Sequence, residues 1–252
     1  MPRESVARLA VLVRHNVLLM AREPGPVLSR MILPLVFITL LRPLYVTGQG
    51  RTAGTEQAVV GTLVTFSLLA LSICGGAILT ERLGRTWDRL RATALRPVEL
   101  LVGKAVPAFA ALLAQQFLVV GFAVCVLGLR VPHPFLLLGL LLSWSCALLG
   151  LGTLLGVLVR SLGALSASFD IGGMLLSSLG GALVPLAALP PWVADVAPVS
   201  PGYWAARGMR GALSGDAYAV AESCGTLLGV ALVCGAAASV RLVGRSGRTV
   251  AL

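Results

Sequence analysis

The sequence predicts an all-α integral membrane protein. It reads as six transmembrane helices, an N-terminal amphipathic helix on the membrane surface, and an outer re-entrant segment between helices 5 and 6. Three observations carry that reading. Hydrophobic residues make up 57% of the 252 residues and charged residues only 12%, about half the ~25% of a soluble domain. Long apolar runs recur, each with the ~20 residues needed to cross ~30 Å of hydrocarbon as a helix. The basic residues fall between those runs and crowd on alternate sides. Strands are excluded because a lone strand leaves its backbone unsatisfied in lipid, and the runs lack the alternation of a barrel wall.

Residues 1–26 form the cytoplasmic amphipathic segment. Val6, Leu9, Val13, Val17 and Met20 recur at helical spacing, with Glu4, Arg8, His15 and Arg22 on another face, a pattern for a helix lying along the interface. Arg3, Arg8, Arg14 and Arg22 interrupt the segment, so it is not read as a cleavable signal. Pro24 and Pro26 should break the helix before the first span.

The membrane domain covers 27–243. Its first span is Val27–Val46, the second Ala58–Thr80, the third Ala105–Leu129, the fourth Phe135–Val159, the fifth Leu162–Leu186 and the sixth Ser223–Val243. Residues 244–252 are a cytoplasmic tail. Gly152 and Gly156 in the fourth span, and Gly225 and Gly229 in the sixth, make GxxxG pairs that would let helices approach closely.

Orientation follows from lysine and arginine. With the N-terminus inside, 15 of the 20 basic residues lie on the inner side and four on the outer, with Arg42 near the outer end of the first span. That is the positive-inside bias. Tyr45, Trp192, Tyr203, Trp204 and Tyr218 fall on the outer side, as an interfacial aromatic belt would. Both termini are therefore expected in the cytoplasm. The net charge of +10 suits loops beside anionic lipid and does not indicate nucleic-acid binding, because no soluble domain is left to carry such a face.

Two connections are long. Residues 81–104, on the inner side, begin with a helix-compatible, charge-dense stretch. Glu81 and Arg85 are four apart, as are Arg85 and Arg89. Asp88 is three from Arg85 and Arg91, and Leu83, Trp87 and Leu90 form a short apolar stripe. Pro97 ends it. Such a helix offers a docking face to a cytoplasmic partner. Residues 187–222, on the outer side, are cut by Pro190, Pro191, Pro198 and Pro201. Two short amphipathic pieces remain, Pro191–Val196 and Gly202–Leu213, the second with Arg207 and Arg210 on one side; neither is long enough to span.

Catalytic apparatus is missing from the pattern. His15 and His133 are the only histidines, and neither lies in a span, so an intramembrane serine protease lacks its base. The five cysteines, Cys74, Cys125, Cys146, Cys224 and Cys234, contain no CxxC pair, so no metal site is expected. A P-loop needs a lysine followed by Ser or Thr, whereas the single lysine, Lys104, is followed by Ala105. If ATP is used, another chain must bind it. Asp170, in the fifth span, is the one acid within a span. A carboxylate there costs ~2.5–3.5 kcal/mol, which marks a polar point on a path, a pair with a base such as Arg30, or a residue that snorkels to the interface.

Two strings resemble the permease subunits of ABC-2 type transporters. The first is Glu81-Arg-Leu-Gly-Arg-Thr-Trp-Asp-Arg-Leu-Arg-Ala-Thr-Ala-Leu-Arg-Pro-Val-Glu-Leu-Leu-Val-Gly-Lys104, matching at Glu81, Thr86, Leu90, Gly103 and Lys104. The second runs from Val184 to Gly215, with its Pro-x-x-x-x-Pro-x-Trp opening at Pro185, Pro190 and Trp192. The closest likeness is to drug-efflux permeases of the daunorubicin-resistance type. The resemblance implies a coupling helix at Glu81, Arg82, Arg85, Thr86, Trp87, Asp88, Arg89 and Leu90. It implies an ABC ATPase subunit as a separate partner holding ATP and Mg, and a second permease copy or a related permease. The implied cargo is a hydrophobic drug or secondary metabolite, exported across the cell (inner, cytoplasmic) membrane. Export of a lipid or glycan precursor, and proton-coupled secondary transport through Asp170, are the alternatives.

Overall fold

The computed structural model describes residues 10–18, 22, 24–83 and 97–244. Every regular element among them is helical. Residues 10–18 form a helix. It is followed by α1 (Pro24–Gln49), α2 (Arg51–Leu69), α3 (Leu71–Leu83), α4 (Pro97–Cys125), α5 (Pro134–Leu158), α6 (Leu162–Leu179), α7 (Pro191–Val196), α8 (Pro201–Ser214) and α9 (Ala217–Gly244).

Five stretches are long and apolar enough to cross a membrane: Val27–Gln49, Gly103–Cys125, Pro134–Leu158, Leu162–Leu179 and Ala217–Arg241. The second predicted span is divided. α2 ends at Leu69, Ala70 follows with helical torsions (φ −71°, ψ −9°), and α3 begins at Leu71. α2 also begins seven residues before the predicted start at Ala58, taking in Glu56 and Gln57. It is the innermost helix. Every residue from Gln57 to Leu68 is buried, because α1, α4, α6 and α8 pack around it.

Other boundaries move for identifiable reasons. α1 starts at Pro24, which suits a first helical turn where no N–H is needed. α4 runs from Pro97 and stops at Cys125, where Gly128 (φ +72°) turns the chain so that the Leu129 N–H reaches the Ala123 carbonyl at 3.0 Å. α6 ends seven residues before the predicted Leu186. Gly181 takes φ +68°, the Ala182 N–H bonds the Ser177 carbonyl at 3.1 Å and the Gly181 N–H bonds the Ser178 carbonyl at 3.1 Å. This is a Schellman cap, which needs a left-handed residue that glycine supplies without strain. α9 begins six residues earlier than Ser223 because Asp216 caps it, its Oδ1 accepting from the Ala219 N–H at 3.0 Å.

The helix at 10–18 docks on the start of α4. Asn16 Nδ2 donates to the Gly103 carbonyl at 3.2 Å and to the Leu12 carbonyl at 3.0 Å. Val11, Val17 and Leu18 remain exposed, the surface an interfacial helix would turn to lipid.

The core runs through the bundle as one cluster, with Trp144 and Phe169 its largest fully buried side chains beside Leu68, Leu112, Leu140 and Leu148. Glycines set the spacing. A Cβ on Gly156 would sit 2.7 Å from the Gly75 carbonyl oxygen, and one on Gly150 would sit 2.8 Å from that of Ala231. The glycine pair of α9 behaves differently, since a Cβ on Gly225 or Gly229 would meet nothing within 4 Å. Of these two pairs, Gly156 of α5 is therefore used inside the chain, and Gly225 and Gly229 are not. Gly156→Ala should destabilise the protein in detergent by about 1–3 kcal/mol through overpacking. Gly229→Ala should be neutral or slightly stabilising. Equal melting temperatures for the two variants would contradict this packing.

Candidate functional site

Polar side chains concentrate at the end of the bundle where α1 turns into α2, α4 into α5, and α6 into α8 and α9. The chain after the α6 cap leaves carbonyls that no helix satisfies. Side chains of other elements take them up. Arg210 of α8 donates through Nη2 to the Gly181 carbonyl and to Gln57 Oε1, each at 2.9 Å. Gln57 of α2 donates through Nε2 to the Ala182 carbonyl at 2.7 Å. Tyr45 of α1 donates its hydroxyl to the Leu183 carbonyl at 2.6 Å. Gly61 lets α2 approach so closely that a side chain there would collide with the Ala182 carbonyl. Thr65 and Ser177 hydrogen-bond one turn further in.

Arg210 is half-buried and Gln57 buried. Burial lowers the pKa of the Arg210 guanidinium, and the Glu56 carboxylate pushes it back up. An arginine remains charged throughout, so the cluster holds a fixed cation among neutral acceptors with one carboxylate nearby. Ser200 caps α8, accepting from the Gly202 N–H at 3.1 Å, and its hydroxyl donates to the Leu176 carbonyl at 2.6 Å. Arg207, on the outer turn of α8, pairs with Glu222 at 2.7 Å and lies 5.4 Å from the Trp204 ring centre. The two arginines read as one polar side thus do different work.

The opposite end is mostly apolar. A cavity of about 250 Å³ opens between α3, α4, α5 and α9, lined by Ile78, Ala108, Leu149 and Ala231, with Lys104 and Thr153 as polar members. Arg30 of α1 donates to the Ser72 hydroxyl near this end.

The sequence-derived site residues distribute unevenly. Glu81 and Arg82 belong to the last turn of α3. Arg85, Thr86, Trp87, Asp88, Arg89 and Leu90 lie outside the described residues. Asp170 is exposed on α6. Sequence reasoning missed Gln57, because the second span was drawn from Ala58. The signal was present: a Glu-Gln pair opening an apolar run, with an arginine in the facing segment.

A family model described as "ABC-2 type transporter" matches residues 7–214. No curated protein matches the sequence. The match spans α1 to α8 and includes residues at both ends of the bundle.

Replacing Arg210 strands two buried acceptors, at about 1–3 kcal/mol for each one left unpaired. Arg210→Met should therefore lower the melting temperature in mild detergent by roughly 4–8 °C at the least, the shift for the lowest total of ~2 kcal/mol at ~2–4 °C per kcal/mol. Arg207→Met removes a half-exposed pair worth at most ~1 kcal/mol and should shift it far less. The ordering of the two variants by thermal unfolding checks the assignment.

Proposed function

The chain belongs to the ABC-2 type transporter family, and from that premise we propose that it is the permease subunit of an ATP-driven exporter. The observation that carries the proposal is this family match over 208 of the 252 residues joined to a sequence with no P-loop. ATP, with Mg, then belongs to a separate ABC ATPase subunit. On this reading α2 and α3 together make one crossing, giving six, and α7 and α8 form an outer re-entrant segment between α6 and α9. Both termini lie in the cytoplasm.

Force enters through the inner connection. Glu81, Arg82, Arg85, Thr86, Trp87, Asp88, Arg89 and Leu90 form the coupling helix, whose charges pair with the ATPase and whose apolar stripe seats in it. On this reading the coupling helix begins in the last turn of α3. Two permease chains, identical or related, rock between inward- and outward-facing states as the ATPase subunits close. The apolar cavity beside Lys104 and Thr153 supports hydrophobic drugs or secondary metabolites as the cargo. Asp170 is a polar point on the lipid-facing or partner-facing side of α6.

The test is co-purification from mild detergent with the ATPase activity assayed. A stoichiometric P-loop ATPase is expected. Reversing charge at Glu81 and Arg85 together should abolish its retention while leaving the permease folded. A chain that purifies alone and moves a hydrophobic dye in liposomes under a proton gradient would overturn the reading. In that case Asp170→Asn should abolish transport; in the ATP-driven exporter it should not.

A further inference from the structure

Five arginines gather at the polar end of the bundle: Arg42, Arg51, Arg130, Arg207 and Arg210. Two are used within the fold, Arg207 by Glu222 and Arg210 by Gln57 and Gly181. The other three converge. Arg42 of α1, Arg51 at the start of α2 and Arg130 after α4 line one cavity of about 460 Å³, with Thr52, Thr55 and a single acid, Glu56. Among the described residues none of the three forms an ion pair. Arg42 is oriented: its Nε donates to Thr55 Oγ1 at 3.1 Å, and Thr55 in turn donates to the Arg51 carbonyl at 2.7 Å. The second wall is apolar, built from Leu127 and Leu129 on either side of the left-handed Gly128.

We propose that this cavity is a binding site for an organic phosphate, with the phosphate held by Arg42, Arg51 and Arg130 and its organic part against Leu127 and Leu129. Three guanidiniums facing one carboxylate leave an uncompensated charge of about +2, because arginine does not deprotonate. Holding like charges around one cavity is unfavourable unless an anion relieves it. Guanidinium forks match phosphate oxygens two at a time, as an ammonium does not. The cavity falls in the ~300–1,000 Å³ range of organic-ligand sites, roomier than a bare inorganic ion requires. The apolar wall beside the cations suits a glycerophosphate-like group, from a lipid headgroup or a soluble phosphate ester. The site lies at the opposite end from the coupling connection, and its argument does not depend on the transport reading.

The experiment uses the full chain, purified in an uncharged detergent, with two probes: glycerol 3-phosphate and dihexanoyl phosphatidylglycerol. Binding is measured by calorimetry at two salt concentrations. Saturable binding of at least one probe is expected, weakened by salt and at least tenfold weaker in the Arg51→Gln/Arg130→Gln variant. Both residues are exposed, so that variant should keep the wild-type melting temperature. Arg207→Gln, at the same end but outside the cavity, should bind as wild type does. Binding of the lipid alone assigns the site to a headgroup; binding of both with similar affinity assigns it to phosphate esters generally. No saturable binding of either probe, or equal loss in Arg207→Gln, would overturn the proposal.

Discussion

Arg210, reaching from α8 to Gln57 of α2 and to the carbonyl of Gly181, ties three parts of the chain at one point. A helix that ends inside a bundle leaves carbonyls without water to take them. α6 ends that way, at Gly180 and Gly181, and its following carbonyls at Gly181, Ala182 and Leu183 are each taken by a side chain from a different helix. The Arg210 guanidinium, charged throughout, serves the Gly181 carbonyl and Gln57 Oε1 at once from its Nη2. The turn after α6, the short α8 and the polar start of α2 meet at that guanidinium.

Glycines let the backbones close around this cluster. Gly61 brings α2 onto the Ala182 carbonyl, and Gly54 brings the start of α2 onto the backbone of Tyr45. The same device recurs at the other end, where Gly75 and Gly156 hold α3 and α5 together. The two ends nevertheless differ in what they bury. One is tied by directional hydrogen bonds, which fix geometry. The other is packed by apolar contacts around a cavity, which tolerate sliding.

Much of this was legible in the sequence, and the failures have physical reasons. Length and apolarity alone located the runs that became α1, α4, α5, α6 and α9, because any span must satisfy the same hydrocarbon thickness. Helix ends were harder. Gly180-Gly181 falls inside the span that apolarity predicts, although a glycine pair is where a left-handed cap costs least. α2 was drawn too short because Glu56 and Gln57 look like loop residues, whereas tertiary partners make them core. GxxxG spacing could not separate Gly156, which meets a backbone, from Gly229, which meets open space, since spacing carries no information about what lies opposite. Arg207 and Arg210 are three residues apart and looked equivalent; α9 carries Glu222 to one, and α2 carries Gln57 to the other.

The packing also constrains where a substrate can pass. The apolar cavity near Lys104 and the arginine-lined cavity near Gly128 lie at opposite ends of one bundle. Between them stand Leu112, Leu140, Trp144, Leu148 and Phe169, all buried and in one continuous cluster. Protein interiors packed at crystalline density leave no conduit for a drug-sized molecule, and opening one here would expose the largest side chains of the core. A route through the middle of a single chain would have to break this packing. The remaining surface is different in kind. α1 exposes Leu28, Ile32, Leu33, Val36, Phe37, Leu40 and Leu44, and α6 exposes Ile171, Met174 and Leu175 beside Asp170. In a transporter of this family such faces meet either lipid or a second permease. A path along such a face would leave the core of the chain intact, which is why a second permease chain there suits the proposed exporter.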